Sequence, residues 1–272
     1  MSATLPHLAL IGFGEAGSTF ARAGEWAAAA HGWDILPERR AAMEELGVVV
    51  AIGAADALTG AEIALSLVTA DTALAVAQDG APYLRPGTIW CDMNSAAPET
   101  KRAAAKAIEA AGGRYVDVAV MAPVDPAALR VPLLLAGSAA AEAEALLNRL
   151  GFANTRIVGD EVGRASAIKM IRSVMVKGIE ALSWECAEAA RAAGVLDEVT
   201  ASLDASDSRA PWAEKFAYNA ERMEHHGLRR AAEMEESAKT LLDLGVEPVM
   251  TRGTVARQRA AAQDNAKRNE VA

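Results

Sequence analysis

The chain has 272 residues, 52% of them hydrophobic, with a net charge of −9 and a pI near 5.1. That length is comfortable for two domains and long for one core, and the acidic balance repels phosphate backbones, which argues against a nucleic-acid partner. Two cysteines, Cys91 and Cys186, offer neither a disulfide framework nor metal-ligand spacing, so a reducing, cytoplasmic setting is expected; with no long apolar run at the start, neither a signal peptide nor a membrane span is expected.

In chain order, Leu8 to Ile11 reads as a short buried strand that runs straight into Gly12-Phe13-Gly14-Glu15-Ala16-Gly17. Ser18 to Ala30 is predicted helix, with the Ala27 to Ala30 tract as its last turn. A second strand is expected over Gly32 to Leu36, then a helix over Pro37 to Leu46 that stops at Gly47. Val48 to Ile52 is a β-branched run and Ile63 to Val68 an apolar one. Asp71 to Gln78 reads as helix, Thr88 to Met93 as strand, and Pro98 to Ala111 as a helix with proline in its first turn. Tyr115 to Val120 and Leu133 to Ala136 are the later strands. This alternation predicts an open, mostly parallel, doubly wound sheet of Rossmann type.

The character changes near Gly159. From Gly163 to Ala193, Ile168, Ile171, Met175, Ile179, Leu182 and Cys186 recur at three- and four-residue steps, which predicts one long helix with an apolar stripe. Further helices follow between Val195 and Met250, broken near Pro211, Gly227 and Gly245, and the tail from Thr254 is polar. The expected fold is therefore α/β. A Rossmann-like domain over residues 1–160 leads through the long helix into an all-α domain over residues 161–272.

The glycine loop carries the first chemistry. Gly12 permits a tight turn, Gly14 lets the backbone approach a pyrophosphate, and Gly17 lets the following helix pack closely, its N-terminus facing the phosphates. The whole loop, with Phe13, Glu15 and Ala16, is thus the expected cofactor cradle. Asp34 sits at the right distance to accept from a ribose 2′-hydroxyl, which favours NAD over NADP; Arg39 and Arg40 pull the other way if either reaches a 2′-phosphate.

Four segments together resemble the β-hydroxyacid dehydrogenase superfamily, which includes 6-phosphogluconate and 3-hydroxyisobutyrate dehydrogenases. They are the glycine loop, Cys91-Asp92-Met93-Asn94-Ser95, Tyr115 to Pro123, and Gly163 to Ser173. The chain looks most like the phosphogluconate dehydrogenase-like branch whose C-terminal domain is of the DUF1932 type. The resemblance implies that Lys169, on the long helix, is the general acid/base. It places substrate contacts at Asn94 and Ser95, at Met121-Ala122-Pro123 where the family carries Ser-Gly-Gly, and at Ser173 where it carries asparagine. Val68 and Thr69, at the end of their strand, either line the cofactor cleft or are purely structural. The long helix is too apolar to sit alone against one small sheet domain, so a homodimer joined through the helical domain is expected, as the resemblance also implies. Ala165 stands where a second glycine is usual, and Arg172 offers either a carboxylate partner or a structural ion pair.

Arg229 and Arg230 form a charged cluster with Glu233 near the place of the family's lysine-aspartate pair, and either reach a site, of their own or of a partner subunit, or lie on a solvated face. Adjacent His225 and His226 point about 100° apart on a helix and do not share an ion, so no metal is expected. Trp184 and Trp212 read as core or interface. The function expected is hydride transfer between a nicotinamide cofactor and a 3-hydroxy acid or related carbonyl compound. The alternatives are an imine reductase on the same fold, against which the basic Lys169 argues, and a non-catalytic dinucleotide-binding protein.

Overall fold

Every residue of β1 (Leu8–Ile11) is buried, and the four alternate between two cores. Leu8 and Leu10 join Phe13, Phe20, Trp26 and Met43, while Ala9 and Ile11 join Leu58, Trp90 and Ile108. A strand apolar on both faces has to be covered on both. The computed structural model describes residues 5–172, 189–206, 221, 223–225, 227–228, 231, 242 and 245–271.

Eight strands form one sheet. After β1 come β2 (Ala30–Trp33), β3 (Val49–Val50), β4 (Ile63–Ser66), β5 (Ile89–Asp92), β6 (Arg114–Val120), β7 (Leu133–Ala136) and β8 (Thr155–Gly159). Their order is β3-β2-β1-β4-β5-β6-β7-β8. The first six strands are parallel; β7 pairs antiparallel with β6, and β8 pairs parallel with β7. The chain reverses direction between β3 and β4, so a crevice opens at the carboxyl ends of β1 and β4, the place where doubly wound sheets bind ligands.

The helices α1 (Glu15–Gly24), α2 (Pro37–Glu45) and α6 (Ala140–Arg149) send Phe20, Met43 and Leu147 into the first core. The helices α3 (Ala54–Leu58), α4 (Ala73–Gly80) and α5 (Pro98–Ala110) send Leu58, Ala77 and Ile108 into the second. Helix α7, over residues 164–172, lays Ala165 and Ile168 on Ala119 of β6 and on Leu134 and Ala136 of β7.

Several predicted boundaries shift. Helix α1 starts inside the glycine loop and ends at Glu25, whose φ is 49°. The Ala27–Ala29 tract is a separate 3-10 turn, not the end of that helix. Trp26 imposes the break: it is buried, and its Nε1 donates to Leu150 O at 2.9 Å. Strand β2 begins and ends earlier than expected, because Leu36 N donates to Asp34 Oδ1 at 2.9 Å and closes a turn. Ile35 and Ile52, apolar enough to suggest strand, are 78% and 91% exposed.

The chain divides into two compact units, Met1–Arg172 and Ser173–Ala272. In the second, residues 189–193 are helical, followed by α8 (Leu196–Ser206) and α9 (Val249–Val271). Gly227 itself is helical, and its missing side chain lets the backbone pack against Gln258 and Ala262 of α9. Among the described residues no helix is long and apolar enough to cross a membrane.

Candidate active site

The glycine loop sits at the crevice between β1 and β4. Gly12 N donates to Trp33 O at 2.9 Å, and Leu67 N donates to Ile11 O at 2.8 Å. Gly12 has φ +93°, and a Cβ there would stand 2.6 Å from Leu67 O and 2.9 Å from Val68 Cγ1. Only glycine fits that turn, and Val68 packs directly against it. Gly17 lies in α1, where a Cβ would stand 3.0 Å from Gly12 O, so the helix rests on the loop that precedes it. Around Gly14 nothing approaches within 4 Å of the Cβ position. Gly14 also caps α1 without a side-chain hydrogen bond. The first N–H groups of the helix therefore face open space at the sheet edge, the environment an anionic group requires. These features fit a dinucleotide pyrophosphate.

Asp34 is tied to this loop. Its Oδ2 accepts from Phe13 N at 2.7 Å and its Oδ1 accepts from Leu36 N. Each oxygen keeps a second lone pair, so Asp34 can still accept from ribose hydroxyls. Arg40 lies over the Trp33 ring at 5.1 Å, and Arg39 is exposed. Thr69 is exposed at the end of β4, its hydroxyl 3.0 Å from that of Thr72.

One strand further along, β5 ends at Asp92 and is followed by Met93, Asn94 and Ser95. Lys169 Nζ on α7 donates to Ser95 Oγ at 2.7 Å. Two segments 74 residues apart in sequence are thus brought to one point at the sheet's carboxyl edge. Ser95 is exposed and Lys169 half-buried. Met121, at the end of β6, packs with Ile168 in the cluster beneath Lys169. Ala122 and Pro123 are exposed. Ser173, Arg229 and Arg230, with Trp184, Cys186, Trp212 and His226, lie outside the described residues. His225 Nδ1 is 2.9 Å from Glu221 O, and among the described residues no group of three His, Cys, Asp or Glu side chains could hold a metal.

Beneath this surface lies a charged network that the sequence analysis missed. Lys101, fully buried in α5, donates to Asp92 O at 2.6 Å and to Asp92 Oδ1 at 2.8 Å. Its ammonium is 3.6 Å from Asp117 Oδ1, an ionic contact rather than a hydrogen bond. Tyr115 OH donates to Asp92 Oδ2 at 2.6 Å. Burial, with the Asp92 carboxylate beside it, pushes that phenol far above its ordinary pKa and keeps it a donor. Asp117 Oδ2 accepts from Gly163 N at 3.1 Å, Ser166 N at 2.9 Å and Ser166 Oγ at 3.0 Å. It therefore caps the helix that carries Lys169, from a strand 46 residues earlier.

Asn94 hangs from the same network. Asn94 N and Nδ2 both donate to Asp92 Oδ1, at 3.0 and 2.8 Å, and Nδ2 also donates to Ser66 Oγ at 2.9 Å. A carboxylate only accepts, so the amide orientation is fixed. That leaves Asn94 Oδ1 buried with no donor among the described residues. The readable signal for this network was Lys101 on the apolar stripe with Ala104, Ala105 and Ile108, and a single aspartate in each of two buried strands.

Residues 7–159 match the family described as the NAD binding domain of 6-phosphogluconate dehydrogenase, and residues 190–261 match a domain of unknown function, DUF1932. A conserved hypothetical protein from Sinorhizobium meliloti is 38% identical; the match covers 96% of this chain and 90% of that one, with a TM-score of 0.64. A conserved protein whose structure was described as similar to 3-hydroxyacid dehydrogenases is 29% identical over 95% of this chain and 97% of that one, with a TM-score of 0.62. An imine reductase from Myxococcus stipitatus, solved with NADP+, is 22% identical over 95% of each chain and shares the fold with a TM-score of 0.76. This chain belongs to the family of the NAD binding domain of 6-phosphogluconate dehydrogenase.

Proposed function

We propose that this protein is a nicotinamide-dependent dehydrogenase or reductase acting on a 3-hydroxy acid or a related carbonyl compound. Lys169 is its general acid/base. The observation that carries this reading is the 2.7 Å hydrogen bond from Lys169 to Ser95 at the edge where the glycine loop opens. When bound, the nicotinamide accepts or delivers the hydride. In oxidation, Lys169 as a free amine takes the hydroxyl proton of the substrate while the carbinol hydrogen leaves as hydride; in reduction its ammonium returns that proton to the carbonyl oxygen. Ser95 receives a hydrogen bond from Lys169 and uses its own hydroxyl proton to hold a substrate oxygen. Asn94 Oδ1 accepts from a donor on the bound ligand, since a buried amide oxygen without a partner is costly.

Gly12 through Gly17, with Val68 and Thr69, cradle the dinucleotide, and Asp34 receives the ribose hydroxyls. A carboxylate there repels a 2′-phosphate, which favours NAD. Met121, Ala122 and Pro123 give the substrate pocket an apolar side, and the resemblance assigns Ser173 a substrate contact. In this scheme residues 1–160 bind the cofactor and residues 161–272 supply the substrate and subunit contacts. The second unit exposes Leu228 (64%) and Val249 (64%), which supports a homodimer joined through it. A cytoplasmic location follows from the sparse cysteines.

The test titrates the protein with NADH and NADPH and then screens hydroxy acids, carbonyls and imines for turnover. Lys169→Ala should lower kcat by about a hundredfold or more, the contribution of a positioned acid/base. Near-normal turnover in that variant refutes the mechanism.

A further inference from the structure

We propose that Lys101 and Asp117 are positioning residues for Lys169: one buried chain of hydrogen bonds and ion contacts sets the distance between the lysine and the Ser95 loop. The proposal rests on the function assigned to Lys169 above.

Lys169 and Ser95 belong to different elements, and a flexible lysine on a helix does not by itself arrive at a serine hydroxyl. The two walls are joined underneath. On one side, Asp117 caps α7 through Gly163 N, Ser166 N and Ser166 Oγ, which fixes the start of the helix one turn before Lys169. On the other, Asp92 receives Asn94 N and Nδ2 and so fixes the residue before Ser95. Lys101 bridges them. It binds Asp92 at both its main-chain and side-chain oxygens and faces Asp117 at 3.6 Å. Its side chain is fully buried, as are both carboxylates to within 1%.

A structural reason alone does not account for this choice. A buried cation between two carboxylates has a large desolvation penalty, and apolar replacements of similar volume are often neutral or stabilising. What the ions supply that an apolar plug cannot is direction. Lys101 directs two hydrogen bonds at Asp92 and an ionic contact at Asp117, and Asp117 aims its lone pairs at the N–H groups of one helix end. The cluster also holds fixed charges of both signs at the start of the helix that carries Lys169 and at the residues before Ser95.

Lys101→Met removes the central cation, and Asp117→Asn keeps the shape of the cap while removing one negative charge. Arg102 beside Gly163, and Arg164 on the helix, remain in both variants. The lysines are reductively methylated with 13C-formaldehyde, and the Lys169 signal is assigned by its loss in Lys169→Arg. If the network positions this amine, its titration midpoint moves in opposite directions: down by about half a pH unit or more in Asp117→Asn, and up by a similar amount in Lys101→Met. Lys106→Met, an exposed lysine on the same helix, moves it in neither direction. With a substrate in hand, Asp117→Asn should lower kcat roughly ten- to hundredfold while NADH affinity stays within about twofold, as misplacement of a catalytic group by a fraction of an ångström does. If Lys101→Met does not fold, Asp117→Asn carries the test. An unchanged Lys169 midpoint together with unchanged kcat in folded Asp117→Asn overturns the proposal. A shifted midpoint alongside full turnover in Lys169→Ala instead overturns the assigned function and leaves the positioning intact.

Discussion

Gly14→Ala separates the fold from cofactor binding. The backbone at Gly14 is extended, φ −75° and ψ −155°, and no atom lies within 4 Å of the Cβ position. Alanine adopts that conformation freely. The unfolded chain loses freedom, so the variant should gain about 0.4–1 kcal/mol. For a unit of about 170 residues that is about 1–4 °C in Tm. The same methyl fills the space in which a pyrophosphate would lie against the backbone. Overpacking of that kind costs about 1–3 kcal/mol, which weakens NADH binding roughly five- to hundredfold. Gly12→Ala is the contrast. A positive φ costs an L-residue about 1–2 kcal/mol, and the 2.6 Å approach to Leu67 O adds about 1–3 kcal/mol of overpacking. Its Tm should fall by about 4–20 °C. Differential scanning fluorimetry and a fluorescence titration with NADH read both quantities. A Gly14→Ala protein that binds NADH as tightly as the parent would refute the placement of the cofactor, whatever its melting point.

Three further outcomes follow from the geometry. Trp26→Phe leaves Leu150 O buried without its donor and should cost about 1–3 kcal/mol in a urea melt; a loss below about 0.3 kcal/mol would mean that water replaces the indole. His31 is held below its ordinary pKa chiefly by burial and then by the neighbouring His7, with Asp56 opposing. The folded state therefore resists protonation of His31. Stability should decline as the pH falls below the unfolded imidazole value of about 6.5 and level off beneath the folded value. His31→Gln should flatten that limb of the urea midpoint against pH, and an identical slope would contradict the assignment. Burial also pushes the Cys91 thiol far up. In a Cys186→Ser background, an aromatic disulfide reagent should modify Cys91 only after unfolding; labelling within seconds in native buffer would show that the core opens.

The motifs that a ligand needs were legible in the sequence because their residue types are forced. The glycine turn requires Gly12 at φ +93°, and the strand before it and the helix after it were plain. Helix α5 was equally clear, with proline at its start and glycine at its end. What escaped lacked contrast. Helix α6 buries only Ala140, Ala143 and Leu147, which do not stand out in an alanine-rich chain. Strand β8 is an edge strand with no fully buried residue and an arginine inside it. Helix α3 is too short for a helical period to show. The antiparallel turn of β7 depends on which neighbour it pairs with, and no local pattern encodes that. In the site, Lys169 and Ser95 were named separately, but their meeting depends on Asp117 capping a helix from a distant strand. The Ala27–Ala29 tract failed as helix for the same kind of reason: Trp26 is committed to Leu150, and the tertiary contact overrides local preference.

That indole has a bearing on how the chain is born. Trp26 and Leu150 are 124 residues apart, and Phe20 meets Phe152 edge-on at 5.0 Å across a similar gap. At a synthesis rate of roughly 5–20 residues per second, the aromatic corner emerges roughly 6–25 seconds before its partners do. Throughout that interval the nascent chain carries an unmatched tryptophan and phenylalanine beside a half-built sheet, the kind of surface that chaperones bind. Completion of the first unit is thus timed by its last strand-helix segment leaving the ribosome, not by the glycine loop that leaves first.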